Sequence, residues 1–171
     1  MPLGTAALGL SWRYGAAAGL APAWAGELIL VIAACIWLPL LAAYAVKIFR
    51  FRPAFLADLQ DLVQCCFLSM IPITLMLFAM AVFPYARSVA AAMAAIGIAG
   101  QLAFAMYRGA GLWRGTHTLA ATTPVVYLPT VAAAFVSTSA LAIFGLRDYA
   151  LLFLGMGIIT KIGRASCRER V

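Results

Sequence analysis

Charge is what this sequence has least of. Only 10% of its 171 residues are charged, with five acids and one histidine, while 66% are apolar and the mean hydropathy is +1.04. A water-soluble domain carries about 25% charged residues. This chain lacks the polar surface to cover itself in water. The shortage excludes a soluble globular protein and places the chain in a lipid bilayer. Acids and histidine are also too few and too scattered for enzyme chemistry. Glu27, Asp58, Asp61, Asp148 and His117 fall at the edges of apolar runs or between them, where they read as solvated flanking residues. No carboxylate pair, histidine cluster or metal-ligand spacing results, so neither catalysis nor a cofactor is expected. Cysteine is equally uninformative. Cys35 stands alone, and the adjacent Cys65 and Cys66 suit neither an ordinary disulfide nor a zinc site. Small apolar packing residues are the expected role.

What the chain does have is long apolar runs, and one bilayer crossing takes about 20 such residues. Whole spans are expected at residues 28–47, 64–84, 88–108 and 125–146, with partial ones at 1–12 and 149–160. A helix over residues 1–12 reaches only about 18 Å, too short for a ~30 Å hydrocarbon core. The stretch between Arg13 and Glu27, rich in Gly, Ala and Pro, reads as a connector. No basic region precedes the first apolar stretch, so a signal peptide is a poor reading. The fold class is therefore all-α: a polytopic integral membrane protein with about five to six transmembrane helices. Partial spans at both ends give the expectation that the chain is a piece of a longer one.

The composition changes after Thr160. Residues 161–171, KIGRASCRERV, are strongly basic. The codons ATC GGA AGA GCG TCG TGT AGG GAA AGA GTG spell Ile162–Val171 and reproduce a common short-read sequencing adapter. The tail is accordingly expected to be an artefact, excluded from fold reasoning. Removing Lys161, Arg164, Arg168, Arg170 and Glu169 lowers the net charge from +7 to +4. No nucleic-acid or anionic-lipid patch should then be read from the tail. The remaining basic residues are unevenly placed. Lys47, Arg50 and Arg52 follow the second span and Arg108 and Arg114 the fourth, whereas Arg13, Arg87 and Arg147 mark the opposite side. By the positive-inside rule the N-terminus is expected in the cytoplasm.

Inside the spans the informative residues are prolines and hydroxyls. Pro72 lies within VQCCFLSMIPITLMLFAM, flanked by Ser69 and Thr74, and Pro129 lies within TTPVVYLPTVAAAFVSTSA, flanked by Tyr127 and Thr130. A proline inside a helix loses a backbone hydrogen bond, and membranes tolerate it where hydroxyls, water or neighbouring helices compensate. Pro39 has only Cys35 and Tyr44 as polar neighbours. Two kinked, hydroxyl-bearing spans at alternate positions point to a water-lined pathway. With no acid inside these spans, such a pathway favours anions or neutral solutes. Ala91, Ala95, Ala99 and Ala103 recur every four residues and predict a small-residue packing stripe.

The passages FRPAFLADLQDLVQCCFLSMIPITLMLFAM (Phe51–Met80) and RGTHTLAATTPVVYLPTVAAAFVSTSALAIFG (Arg114–Gly145), with LGLSWR (Leu8–Arg13) and AWAGELIL around Glu27, carry a family resemblance. Over essentially all of Met1–Thr160 the chain resembles the tellurite-resistance/dicarboxylate transporter family, related to the slow-anion-channel-associated proteins. The resemblance implies a ten-helix anion channel or transporter fold of five hairpins, of which this chain is the N-terminal half. Odd-numbered helices would line a pore and three subunits would assemble. It places Pro72 on the third helix and Pro129 on the fifth, both pore-lining, and puts the family's pore-occluding phenylalanine on a ninth helix with no counterpart here.

The expected function is transport of tellurite, sulfite, other small inorganic anions or C4-dicarboxylates, with Ser69, Thr74, Tyr127 and Thr130 as pore-lining candidates. The chain by itself is expected to be inactive. Its partners would be the lipid bilayer, a small anionic substrate and further copies of itself, in a bacterial inner membrane. Multidrug or cation efflux and a non-transporting membrane scaffold are the alternatives. The first calls for an acidic or aromatic site within the spans, and the second for no water-accessible face on the kinked helices.

Overall fold

The computed structural model describes residues 2–20, 22–113 and 128–168, and every regular element among them is an α-helix. In chain order these are α1 (Pro2–Ala17), α2 (Ala23–Arg50), α3 (Arg52–Gln60), α4 (Leu62–Val82), α5 (Arg87–Trp113), α6 (Leu128–Ile143) and α7 (Arg147–Arg168). The long helices pair as hairpins, α1 with α2, α4 with α5 and α6 with α7. α4 lies at the centre and also packs against α1 and α6.

Two hairpin turns share one device. Gly19 and Gly145 take φ of 76° and 80°, a left-handed conformation that a Cβ would disfavour. Around each, paired backbone bonds close the preceding helix: Leu20 N–H to Gly15 and Gly19 N–H to Ala16, then Leu146 N–H to Leu141 and Gly145 N–H to Ala142. This is the Schellman ending, which satisfies carbonyls that a helix terminus would leave orphaned.

Close approach within the hairpins also rests on glycine. A Cβ on Gly9 of α1 would meet the Leu30 side chain at 2.8 Å, and one on Gly26 of α2 would meet Arg13 N at 3.1 Å. Small residues at a crossing let backbones touch and gather dispersion energy, the main attraction between helices in lipid. Around this crossing Ala6, Leu10, Leu30, Ala33 and Trp37 pack on Leu77, Phe78, Met80 and Ala81 of α4, with the Trp37 and Phe78 rings 5.0 Å apart. The core is therefore shared between hairpins, not contained within them.

Three helices are long and apolar enough to cross a membrane among the described residues: Ala23–Arg50, Gln64–Val82 and Arg87–Tyr107; Val131–Ile143 is shorter and apolar. Their burial differs sharply. Of the most apolar stretch of each, 61% is buried in α4, 28% in α5 and 17% in α2. The exposed faces of α2, α5 and α7 carry Val31, Leu38, Ile96, Leu151 and Ile159, which lipid solvates without penalty.

Some boundaries differ from those expected. α1 continues through Arg13 to Ala17, so much of the expected connector is helical; no proline intervenes before Pro22, and the helix closes only at the left-handed Gly19. α3 replaces an expected loop, with a proline in its first turn. Such a proline is preorganised and lacks only a donor that has no helical partner anyway. α7 does not stop at Thr160 but runs unbroken to Arg168, because extending a formed helix is far easier than nucleating one. The small-residue stripe is corrected too. Ala91, Ala95, Ala99 and Ala103 are exposed, and α5 meets its neighbours through Ala90, Ala94, Gly97, Gln101 and Phe104 instead.

Candidate functional site

The middle of α4 is where the sequence departs from a plain apolar helix, and the structure shows what its polar atoms do. Pro72 has no N–H to give the Leu68 carbonyl four residues back. The flanking hydroxyls do not substitute for it. Ser69 Oγ donates to the Cys66 carbonyl at 2.8 Å and Thr74 Oγ1 to the Met70 carbonyl at 2.6 Å. Both side chains are buried, Ser69 at 0% exposure and Thr74 at 2%. Hydroxyls bonding back along their own helix tend to bend it, adding to the proline's effect.

α5 leaves room for Pro72. A Cβ on Gly97 would lie 3.0 Å from the Pro72 carbonyl oxygen and 2.6 Å from Met76 Cγ, and one on Gly100 would lie 3.4 Å from Pro72 Cβ. Met76, fully buried, then connects this contact to α6. It packs with Ile73 and Ala133, and its sulfur accepts a hydrogen bond from Ser137 Oγ at 3.4 Å. Buried polar side chains thus concentrate on α4, α5 and α6: Ser69, Thr74, Gln101 and Ser137. Ser137 was not among the sequence candidates. Its signal was the hydroxyl run Ser137–Ser139, of which Thr138 and Ser139 bond back to Ala134 and Phe135.

The second candidate group is only partly described. The backbone of Pro129 and Thr130 sits in the first turn of α6, and Tyr127 lies outside the described residues.

Two ion pairs correct the reading of acids as solvated flanks. Arg13 of α1 donates one guanidinium nitrogen to the Glu27 carboxylate of α2 at 2.7 Å and another to the Ala81 carbonyl of α4, also at 2.7 Å. Its guanidinium carbon lies 5.7 Å from the Tyr85 ring centroid, close enough for cation–π attraction. One arginine fork therefore fastens three helices at a single end of the bundle. At the other end Lys47 of α2 pairs with Asp58 of α3. Asp61 accepts the Gln64 N–H at 3.0 Å, capping the start of α4. In sequence these partners are separated by a turn and read as isolated charges.

The chemistry of this centre is that of a polar, acid-free helix interface. Among the described residues no three His, Cys, Asp or Glu side chains gather. The voltage-dependent anion channel family (SLAC1) matches residues 1–163. The chain belongs to that family. It is 34% identical over 163 residues to a tellurite resistance protein TehA homolog of Haemophilus influenzae, an alignment covering 95% of this chain and 50% of that protein. The chain thus spans about half the length of the curated relative it matches. Membership in a family of membrane anion channels agrees with the all-helical, apolar architecture. In that setting a helix interface of hydroxyls and proline-interrupted backbone belongs to an integral membrane protein of a transport family.

Proposed function

We propose that this chain contributes to a transmembrane pathway for small anions, with α1, α4 and α6 on its inner side and α2, α5 and α7 facing lipid. The observation that carries the reading is the hydroxyl-bearing α4, interrupted by Pro72 and held between α1 and α6 in a chain of the anion-channel family. Hydroxyls, backbone dipoles and helix ends attract anions without the acid that a cation site would need. Ser69, Thr74, Tyr127 and Thr130 are the proposed pore-lining residues, and Pro72 and Pro129 the bends that expose backbone to the pathway.

The substrates in view are tellurite, sulfite, other small inorganic anions and C4-dicarboxylates; the relative's name concerns tellurite resistance. The proposed setting is a bacterial inner membrane with the N-terminus cytoplasmic. A homotrimer is the proposed assembly. Transport needs a chain of the relatives' full length, so the 171 residues alone give no selective flux. Proteoliposomes holding the protein extended to that length should pass these anions down an imposed gradient and reject potassium. Flux of organic cations in their place would favour the efflux reading, and no flux of any ion the scaffold reading. Selective anion flux from the 171-residue chain alone would overturn the need for further helices.

A further inference from the structure

One face of α4 is left open by its neighbours. Leu68, Ile71, Pro72 and Leu75 are only partly covered, whereas Ser69, Ile73, Thr74 and Met76 between and beside them are buried. Spacings of three and four residues put the first four on a single helical stripe, and all of them are apolar. The stripe lines a cleft of about 460 Å³ between α2, α3, α4 and α5. Tyr44 and Ile48 of α2 form one wall, and the row from Ile96 to Tyr107 on α5 forms another. No charged side chain lines the cleft, and its polar ones are Tyr44 and Tyr107 alone.

An apolar cavity of about 150 Å³ already stays dry and takes up benzene. This cleft is about three times as large, so its occupant is hydrocarbon and not water. Between Ile96 and Tyr107 the helix rises about 16 Å, half of a ~30 Å hydrocarbon core and so the depth of one leaflet. The cleft also continues a surface that lipid already covers. Ile96 of its wall is 64% exposed, and α2 and α5 are the least buried of the three long apolar helices. Its shallow end lies beside α3. There Tyr107 gives its hydroxyl hydrogen to the Leu59 carbonyl at 3.4 Å, and the Tyr44 ring stands 6.3 Å from that of Phe55. Tyrosines favour the membrane interface, which sets the cleft's mouth at headgroup level. Lys47 and Asp58 neutralise each other at that level, so the mouth favours no headgroup charge.

We propose that the cleft is a binding site for a single acyl chain of a bilayer lipid, entering beside α3 and ending near Pro72, Leu75 and Ile96, whatever the headgroup. The tail covers the one apolar stripe that the neighbouring helices leave open on α4. It also packs on the α4–α5 contact, because a Cβ on Gly100 would lie 3.4 Å from Pro72 Cβ, and both residues line the cleft. Ser69 and Thr74 do not line it, so the site stands independently of the anion pathway.

Photo-crosslinking of the whole 171-residue chain in phosphatidylcholine liposomes tests this. The probe is a phosphatidylcholine with a diazirine near the tip of one acyl chain, and adducts are mapped by tandem mass spectrometry. Adducts should form on α4 between Leu68 and Leu75, besides those on lipid-facing residues such as Val31 and Leu151. A diazirine near the ester should move the cleft adducts toward Tyr44, Ile48 and Tyr107. Ala103→Phe fills the cleft from an exposed position and should abolish the α4 adducts. Those on Val31 and Leu151 should persist, which shows the variant folded and in lipid. Ala92→Phe, exposed and outside the cleft, should leave the whole map unchanged. Phosphatidylglycerol carrying the same diazirine should give the same α4 adducts. Absence of α4 adducts would overturn the proposal, and a second copy or another segment seated in the cleft would produce that result. Adducts that survive Ala103→Phe, or that form with one headgroup only, would overturn it too.

Discussion

α2 and α4 each carry a proline inside a long apolar helix, yet the two prolines live in different surroundings. Pro39 is exposed, between the exposed Leu38 and Leu40 on the outer side of α2. Pro72 is partly covered by α5, where two glycines leave room for it, and its hydroxyl neighbours are buried. The same covalent defect is therefore a lipid-facing irregularity in one helix and part of a shared interface in the other. A proline alone says only that one backbone bond is missing. What stands opposite the bend decides whether it has a role.

The largest expected effect comes from filling the space opposite Pro72. Gly97→Leu should destabilise the α4–α5 hairpin by roughly 1–3 kcal/mol, the usual range for overpacking. Gly155→Leu, with nothing within 4 Å of its Cβ, should leave the melting temperature in detergent nearly unchanged. Equal losses at both glycines would erase the contrast between packed and open helix faces.

Arg13→Gln comes next, because Arg13 joins α2 to the end of α4. Its loss should lower stability by about 1–2 kcal/mol, reduced from the full value of charged hydrogen bonds by partial exposure. Lys47→Met, which breaks the pair between α2 and α3, should lower it by less, since that partly exposed pair joins only two helices. Thermal unfolding of the two variants side by side gives the order. If Lys47→Met proves the more damaging, the three-helix fastening is not where stability lies.

Proline replacement sharpens the comparison directly. Pro72→Ala restores an N–H to α4 and should straighten it against α5, lowering stability by about 1 kcal/mol. Pro39→Ala should change it by no more than about 0.5 kcal/mol, as expected for an exposed site. The smallest effect is expected at the C-terminus. Deleting residues 164–171, which lie beyond the family match, should alter neither membrane insertion nor helix packing. Circular dichroism and carbonate extraction would register a change.

The architecture was legible because lipid demands long apolar helices and excludes charge, both of which can be read along a single strand of sequence. α2, α4 and α5 were found that way. Pro72, Ser69 and Thr74 were visible as exceptions inside an apolar run. Contacts between helices were less legible. Arg13 and Glu27 sit on consecutive helices and look solvated until the turn at Gly19 folds one onto the other. The alanine series on α5 had the spacing of a packing face, but a helix has several such rows; Ala90, Ala94 and Gly97 are the buried ones, with Gly97 against Pro72 and Met76 of α4. α3 escaped notice because it is short and barely apolar; its position depends on Lys47, Tyr44 and Tyr107 from other helices. Ser137 gained meaning only from Met76 across the interface.

The central claim is that α4 lines an anion pathway in a chain of its relatives' length, the added helices repacking the interface that covers Ser69 in the 171-residue chain. Ser69→Cys, in a background with Cys35, Cys65, Cys66 and Cys167 replaced by alanine, tests it most directly. Anion flux into proteoliposomes would be measured before and after a charged, membrane-impermeant thiol reagent. The account predicts modification of the new cysteine and a block of flux that permeant anions slow. Full protection from the reagent with undiminished flux would contradict it.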